Sequence, residues 1–179
     1  MDQGKVMRSK PAICLLLPLL GLMFLLAGPL PGSAAELVGF SDHRFRPGTI
    51  VIRNSERRLY LVLRGNRAIR YKVAVGKRRK AWTGQAQITA KYLRPDWSPS
   101  AEVRRDFPNL PNVIKGGAPN NPMGVAAMTL SNGNYAIHGT NRPGSIGRAV
   151  SYGCIRMANH DIEDLFQRVG IRTPVVALP

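Results

Sequence analysis

The sequence predicts a mainly β domain with one or two helices packed on it. Short runs of alternating apolar and polar residues begin at Thr49, turn-forming clusters separate them, and one late segment has the apolar spacing of an amphipathic helix. The 179 residues are 44% hydrophobic, enough for one packed domain, and with 14 Pro they exclude a disordered basic tail or a long coiled coil.

Lys5, Arg8 and Lys10 precede an apolar run from Ile13 to Ala27 broken only by Pro18 and Gly21. Pro29, Pro31 and Gly32 then lead into Ser33-Ala34-Ala35, with small residues at the cleavage positions. This pattern predicts a secretory signal peptide over residues 1–35 and export of the remainder. Left uncleaved, the run extended to Leu30 would be a membrane anchor. No lipobox cysteine follows it, so no lipoprotein is expected.

Residues 36–48, rich in Arg and Phe, are read as a lead-in, and 49–179 as the folded domain. Thr49–Arg53, Leu59–Leu63 and Ala68–Val75, separated by the turns Asn54-Ser55-Glu56 and Arg64-Gly65-Asn66, predict a three-stranded meander. A second strand group comprises Gln87–Tyr92, Gly124–Leu130 and Tyr135–His138, the last two joined across Ser131-Asn132-Gly133-Asn134. Between them, the proline-rich stretch Arg94–Pro122 with its Gly-Gly pair reads as an ordered loop carrying a short helix near Ser100–Arg105. Asn159 is the predicted N-cap of a helix. Asp161, Glu163 and Asp164 fill its first turns, Ile162, Leu165, Phe166 and Val169 form the apolar stripe, and Gly170 closes it. Pro174–Leu178 reads as a last strand.

Cleavage would remove Cys14 and leave Cys154 alone in a compartment where spare thiols oxidise or pair. The formal charge of +16 belongs almost wholly to the folded part, since the leader carries three cations and one anion. The basic residues are scattered and include no nucleic-acid-reading motif, so no nucleic-acid partner is expected. Lys77-Arg78-Arg79-Lys80 is the exception and reads as a solvated hairpin end. One Cys and three scattered His give no metal-ligand spacing, and no cofactor is expected.

A thiolate is the reactive form of cysteine, and its ordinary pKa of about 8.5 calls for an imidazole or a cationic setting nearby. His138, ending a strand, and Cys154, after Gly153, could form that pair. As residue types alone they also fit an inert buried thiol and a structural histidine. His43 and His160 read as structural.

The stretch Asn121–Val176 resembles the catalytic core of the L,D-transpeptidases of the YkuD type. The resemblance rests on Asn121-Pro122-Met123-Gly124, His138-Gly139-Thr140-Asn141, Ser145 to Ser151, Gly153-Cys154-Ile155-Arg156-Met157 and the Asn159–Phe166 helix, in the family's order and spacing. Val73-Ala74-Val75-Gly76 and Trp82-Thr83-Gly84 resemble its opening hairpins. It implies a β-sandwich-like catalytic domain over 49–179, with Cys154 as nucleophile and His138 as general base and later general acid. The Gly139 carbonyl would orient the imidazole, and the N–H groups of Tyr152, Gly153 and Cys154 would form the oxyanion hole. The substrate would be a peptidoglycan tetrapeptide stem, attacked at the L-centre carbonyl of its third residue with release of D-alanine. The acceptor would be a second stem, a protein amine such as that of an outer-membrane protein, or water, the last making it a carboxypeptidase. A periplasmic role in cell-wall organisation and cell shape follows, with the membrane touched only through an uncleaved leader.

Tyr152 stands where the family usually has His, replacing a chargeable imidazole by a phenol with a pKa near 10. Catalysis survives if that position acts through its backbone N–H; a non-catalytic wall-binding protein is the alternative. Arg156, Ser151 and Asn141 are the candidate substrate-binding residues. Arg156 would grip a stem carboxylate or pair with the acidic start of the helix. The Ser151 hydroxyl would meet substrate or make a turn hydrogen bond.

Overall fold

The computed structural model describes residue 1 and residues 35–179, so the predicted signal peptide or anchor lies outside the described residues save at Met1 and Ala35. Its elements are β1 (Glu36–Gly39), β2 (Ile50–Arg53), β3 (Arg58–Leu63), β4 (Arg67–Gly76), β5 (Gly84–Leu93), α1 (Ala101–Asp106), β6 (Ala126–Leu130) and β7 (Ala136–His138). A 3-10 turn (Pro143–Ser145), β8 (Ala149–Ser151), β9 (Ile155–Met157), α2 (Asn159–Arg168) and β10 (Pro174–Leu178) complete them.

Among the described residues the strands form one ten-stranded sheet: nine run in the order β1-β4-β3-β2-β10-β5-β6-β7-β9, β8 pairs with β4 off this path, and β9 pairs in turn with β4, so the hydrogen-bonded path returns on itself. The meander β2-β3-β4 is antiparallel, in the register Ile50↔Leu61 and Leu61↔Ile69. β10 lies between β2, to which it is parallel, and β5, to which it is antiparallel.

The continuous apolar runs of β2 and β3 follow from burial on both faces. Ile50, Ile52, Leu59 and Leu61 enter the main core with Tyr71, Val73, Ile137 and Ile155. Val51, Tyr60 and Val62 alternate with them and join Phe40 and Ala68 in a second cluster. Helix α2 buries Ile162 and Leu165 against the main core, and the Tyr71 hydroxyl donates to Asp164 at 2.6 Å, fixing the helix on β4.

Mainly β structure with two helices agrees with the sequence, and three strands add to it. β1 lies in the predicted lead-in, where its edge position against β4 leaves three of four residues exposed and so no alternation to read. β8 and β9 have three residues each, too few for a periodicity. Helix α2 begins one residue earlier than its predicted cap implies. Ala158 is its N-cap and Asn159 is already helical, because the Asn159 side chain is engaged elsewhere.

Candidate active site

Strand β7 is held between β6, antiparallel, and β9, parallel, with Ile137 opposite Ile155 and His138 opposite Arg156. Ile137 and Ile155 point into the core. Strand alternation therefore sends His138, Arg156 and Cys154, the residue just before β9, to the opposite face together. The pairing joins at one point residues that the sequence separates by sixteen positions or more.

His138 is 4% exposed. Its Nδ1 lies 2.7 Å from the Gly139 carbonyl, which can only accept, so Nδ1 carries the proton and Nε2 the lone pair. Burial, aided by the Arg156 cation and opposed by the Gly139 and Pro122 carbonyls, pushes the imidazole pKa down to about 4. At neutral pH the ring is therefore an uncharged base with a fixed tautomer.

The surrounding backbone is locked by two asparagines. Asn159 Oδ1 accepts from the Thr140 N–H at 2.9 Å and packs against Gly124 and Gly139, where a side chain would collide with it. Asn121, 2% exposed, donates to the carbonyls of Pro95 at 2.9 Å and Lys115 at 3.0 Å and accepts from the Met123 N–H at 2.9 Å. It thereby ties the proline-rich loop to the segment that carries Pro122 to the imidazole.

Cys154 closes a tight turn after β8. The Ser151 hydroxyl donates to the Cys154 carbonyl at 2.6 Å and accepts from the Gly153 N–H at 3.0 Å. Gly153 sits at φ 122°, and a Cβ there would enter the Tyr135 ring, which itself stacks on Trp82 at 5.9 Å. Half-buried Cys154 is raised above its ordinary pKa by burial, against the lowering effects of the Ala136 backbone and of Arg156. The resting pair is thus a neutral thiol and a neutral imidazole. Among the described residues no hydrogen bond joins them; Sγ lies 3.9 Å from the Asn134 carbonyl.

This geometry bears on two expectations. The Gly153 N–H, expected in the oxyanion hole, is donated to Ser151, which leaves the amides of Tyr152 and Cys154 without an acceptor among the described residues. Ser151 is 1% exposed and its hydroxyl is used on both sides of the turn, so of the two readings for it the structure has the turn hydrogen bond.

Beside the turn lies a cleft of about 670 Å³, lined by Tyr152 and Arg156, by Pro122 and Asn141, and by Val103 and Phe107 of α1 and its end. Cys154 and His138 do not line it. Arg156 is not paired with the acidic start of α2; among the described residues it has no ion-pair partner, and its Nε is buried without one. Tyr152 donates its hydroxyl to Asp106 of α1, which pushes its pKa up to about 12, and the Lys77 ammonium lies 4.2 Å from its ring. A Lys80–Glu102 ion pair at 2.6 Å adds a second tie to α1. Asp106 was not singled out in the sequence, and Lys77, Asn121 and Asn159 were noted there for other reasons, because each acts here through a partner distant in sequence.

The family model for the YkuD L,D-transpeptidase catalytic domain matches residues 47–176. The probable L,D-transpeptidase YbiS of Escherichia coli strain K12 is 38% identical over 135 residues, which cover 70% of this chain and 43% of that protein. The probable L,D-transpeptidase ErfK/SrfK of Salmonella typhimurium is 37% identical over 158 residues, covering 82% of this chain and 50% of that one. The chain spans about half the length of these curated relatives. The structure of L,D-transpeptidase 3 from Mycobacterium tuberculosis with a faropenem-derived adduct shares the fold, at a TM-score of 0.57 and 14% identity over 73% of this chain and 60% of that one. A matched family model over most of the chain, relatives above one-third identity and a cysteine and histidine brought to one sheet face lead to one conclusion: the chain belongs to the L,D-transpeptidase catalytic domain family of the YkuD type.

Proposed function

We propose that the protein is an exported peptidoglycan L,D-transpeptidase with Cys154 as its nucleophile. The observation that carries this reading is the placement of His138, with Nδ1–H held by Gly139 and Nε2 left basic, on the same sheet face as Cys154. Sγ attacks the L-centre carbonyl of the third residue of a tetrapeptide stem while Nε2 takes the thiol proton. The tetrahedral oxyanion is met by the N–H groups of Tyr152 and Cys154. Collapse breaks the amide bond, and His138 returns the proton to the departing D-alanine amine. An acceptor amine then attacks the thioester, loses its proton to His138 and releases Cys154 as the thiol.

Both groups start neutral, so attack and proton transfer are coupled rather than preceded by a stable thiolate–imidazolium pair. Tyr152 in place of the family's usual His fits this scheme, since its backbone N–H is available while its side chain is turned to α1. Asn141 and Arg156 face the substrate cleft.

Incubation with purified disaccharide-tetrapeptide and mass spectrometry of the products tests the proposal. A crosslinked dimer with loss of D-alanine supports transpeptidation between stems. Transfer to a supplied protein amine identifies that acceptor instead. A tripeptide alone would make the protein a carboxypeptidase, and no reaction would make it a wall-binding protein.

A further inference from the structure

The charged residues lining the cleft are Lys77, Arg142, Arg148 and Arg156, and no carboxylate is among them. Among the described residues none of the four is in an ion pair, although most acids elsewhere on the domain have found a cationic partner. Lys77 rests instead on the Tyr152 ring. Arg142 lies near enough to Arg156 to act on its charge, and both guanidinium groups line the same cleft. Like charges sharing one cleft repel at rest, and the half-buried Arg156 is partly desolvated as well; an anionic ligand offsets both.

We infer that this cleft selects stem peptides by the number of their free carboxylates, with Arg142 and Arg148 as specificity-determining residues beside Arg156. The inference rests on the transpeptidase reading above and names the form of substrate that such a site takes. A tetrapeptide stem of this class offers carboxylates on its γ-linked glutamate, on diaminopimelate and on its terminal D-alanine. Amidation of the first two removes two negative charges while leaving the scissile bond and nearly all of the shape unchanged. A guanidinium presents donors in a planar fork that fits a carboxylate on two oxygens, whereas a primary amide offers it one acceptor and turns its own donors against the guanidinium. Apolar Trp97, Val103, Phe107 and Ile114 line the same cleft and leave the cations as its only charged groups.

The test compares D-alanine release from two disaccharide-tetrapeptides, one with free side carboxylates and one with both amidated. The free form is expected to react with a kcat/KM about tenfold higher for each carboxylate. In the Arg142→Gln/Arg148→Gln double variant that ratio falls toward unity through loss on the free donor. Arg64→Gln, an exposed charge outside the cleft lining, keeps the full ratio. Equal rates on both donors, or an equal narrowing in Arg64→Gln, would overturn the inference and leave the transpeptidase reading intact. If neither donor turns over, the transpeptidase reading falls, and calorimetric binding of the two stems to the Cys154→Ala protein decides the charge inference by the same ratio.

Discussion

The Tyr152 hydroxyl donates to the Asp106 carboxylate, joining the turn that carries Cys154 to the C-terminal end of α1 across 46 positions of sequence. With the Lys80–Glu102 pair it holds α1 against the cleft that Cys154 does not line. The contact therefore ties α1 to the segment that carries the thiol.

Replacing Tyr152 by Phe deletes the hydroxyl but keeps the backbone N–H and the ring under Lys77. Backbone amides of residues 101–106 are expected to exchange with deuterium several-fold faster. Unchanged exchange in α1 would show that the hydroxyl does not hold the helix.

His138→Gln is expected to lower the acylation rate by roughly 10²–10⁴-fold with the fold retained, as judged by circular dichroism and mass spectrometry of the acyl-enzyme. In the parent the basic form persists down to a pKa of about 4, so the acid limb of kcat/KM should fall near pH 4 and not near 6.5. A limb near 6.5 would mean that the imidazole is solvated in the reacting enzyme.

The same shift governs stability. The unfolded chain takes up a proton on His138 at its ordinary pKa of 6.5, while the folded chain resists until about 4. Between these values the unfolded state binds more protons, so this residue's contribution to stability is full above 6.5 and is lost as pH falls from 6.5 toward 4. Denaturant midpoints measured across that window should decline less steeply in His138→Gln.

Arg156→Gln removes the cation that depresses both His138 and Cys154. The acid limb is expected to move upward and KM for an anionic donor to rise, with the larger loss in KM. Because the guanidinium is partly buried and unpaired, the variant should also melt about 2–4 °C higher, the mark of a residue kept for function at the expense of stability. A lower melting temperature would indicate a structural partner for Arg156.

Gly153→Ala forces a side chain into the Tyr135 ring at a positive φ and should destabilise the domain by about 2–4 kcal/mol while abolishing acylation. Thermal unfolding and penem labelling, read together, check both parts. Retained labelling would show that the turn can relax without moving the thiol.

The meander, the β6–β7 hairpin and helix α2 were legible because each is a local pattern: alternation in Arg67–Gly76, a four-residue turn, an apolar stripe. The pair Cys154 and His138 was legible only through the motif around them, since neither residue type identifies itself. Asn159 shows the limit. Its position before an acidic helical turn suggests a cap, yet Oδ1 serves Thr140 in the segment after β7, and nothing local encodes that choice. The Gly153 N–H differs in kind: its acceptor is the Ser151 hydroxyl two residues away, a local turn hydrogen bond that the family motif alone does not show.

Strand β10 lies between β2 and β5, which precede it in the chain by more than 80 residues. Without β10 those two strands have no partner between them, so the sheet has two open edges in place of a finished circuit, and closure waits on the element that follows α2 in the chain.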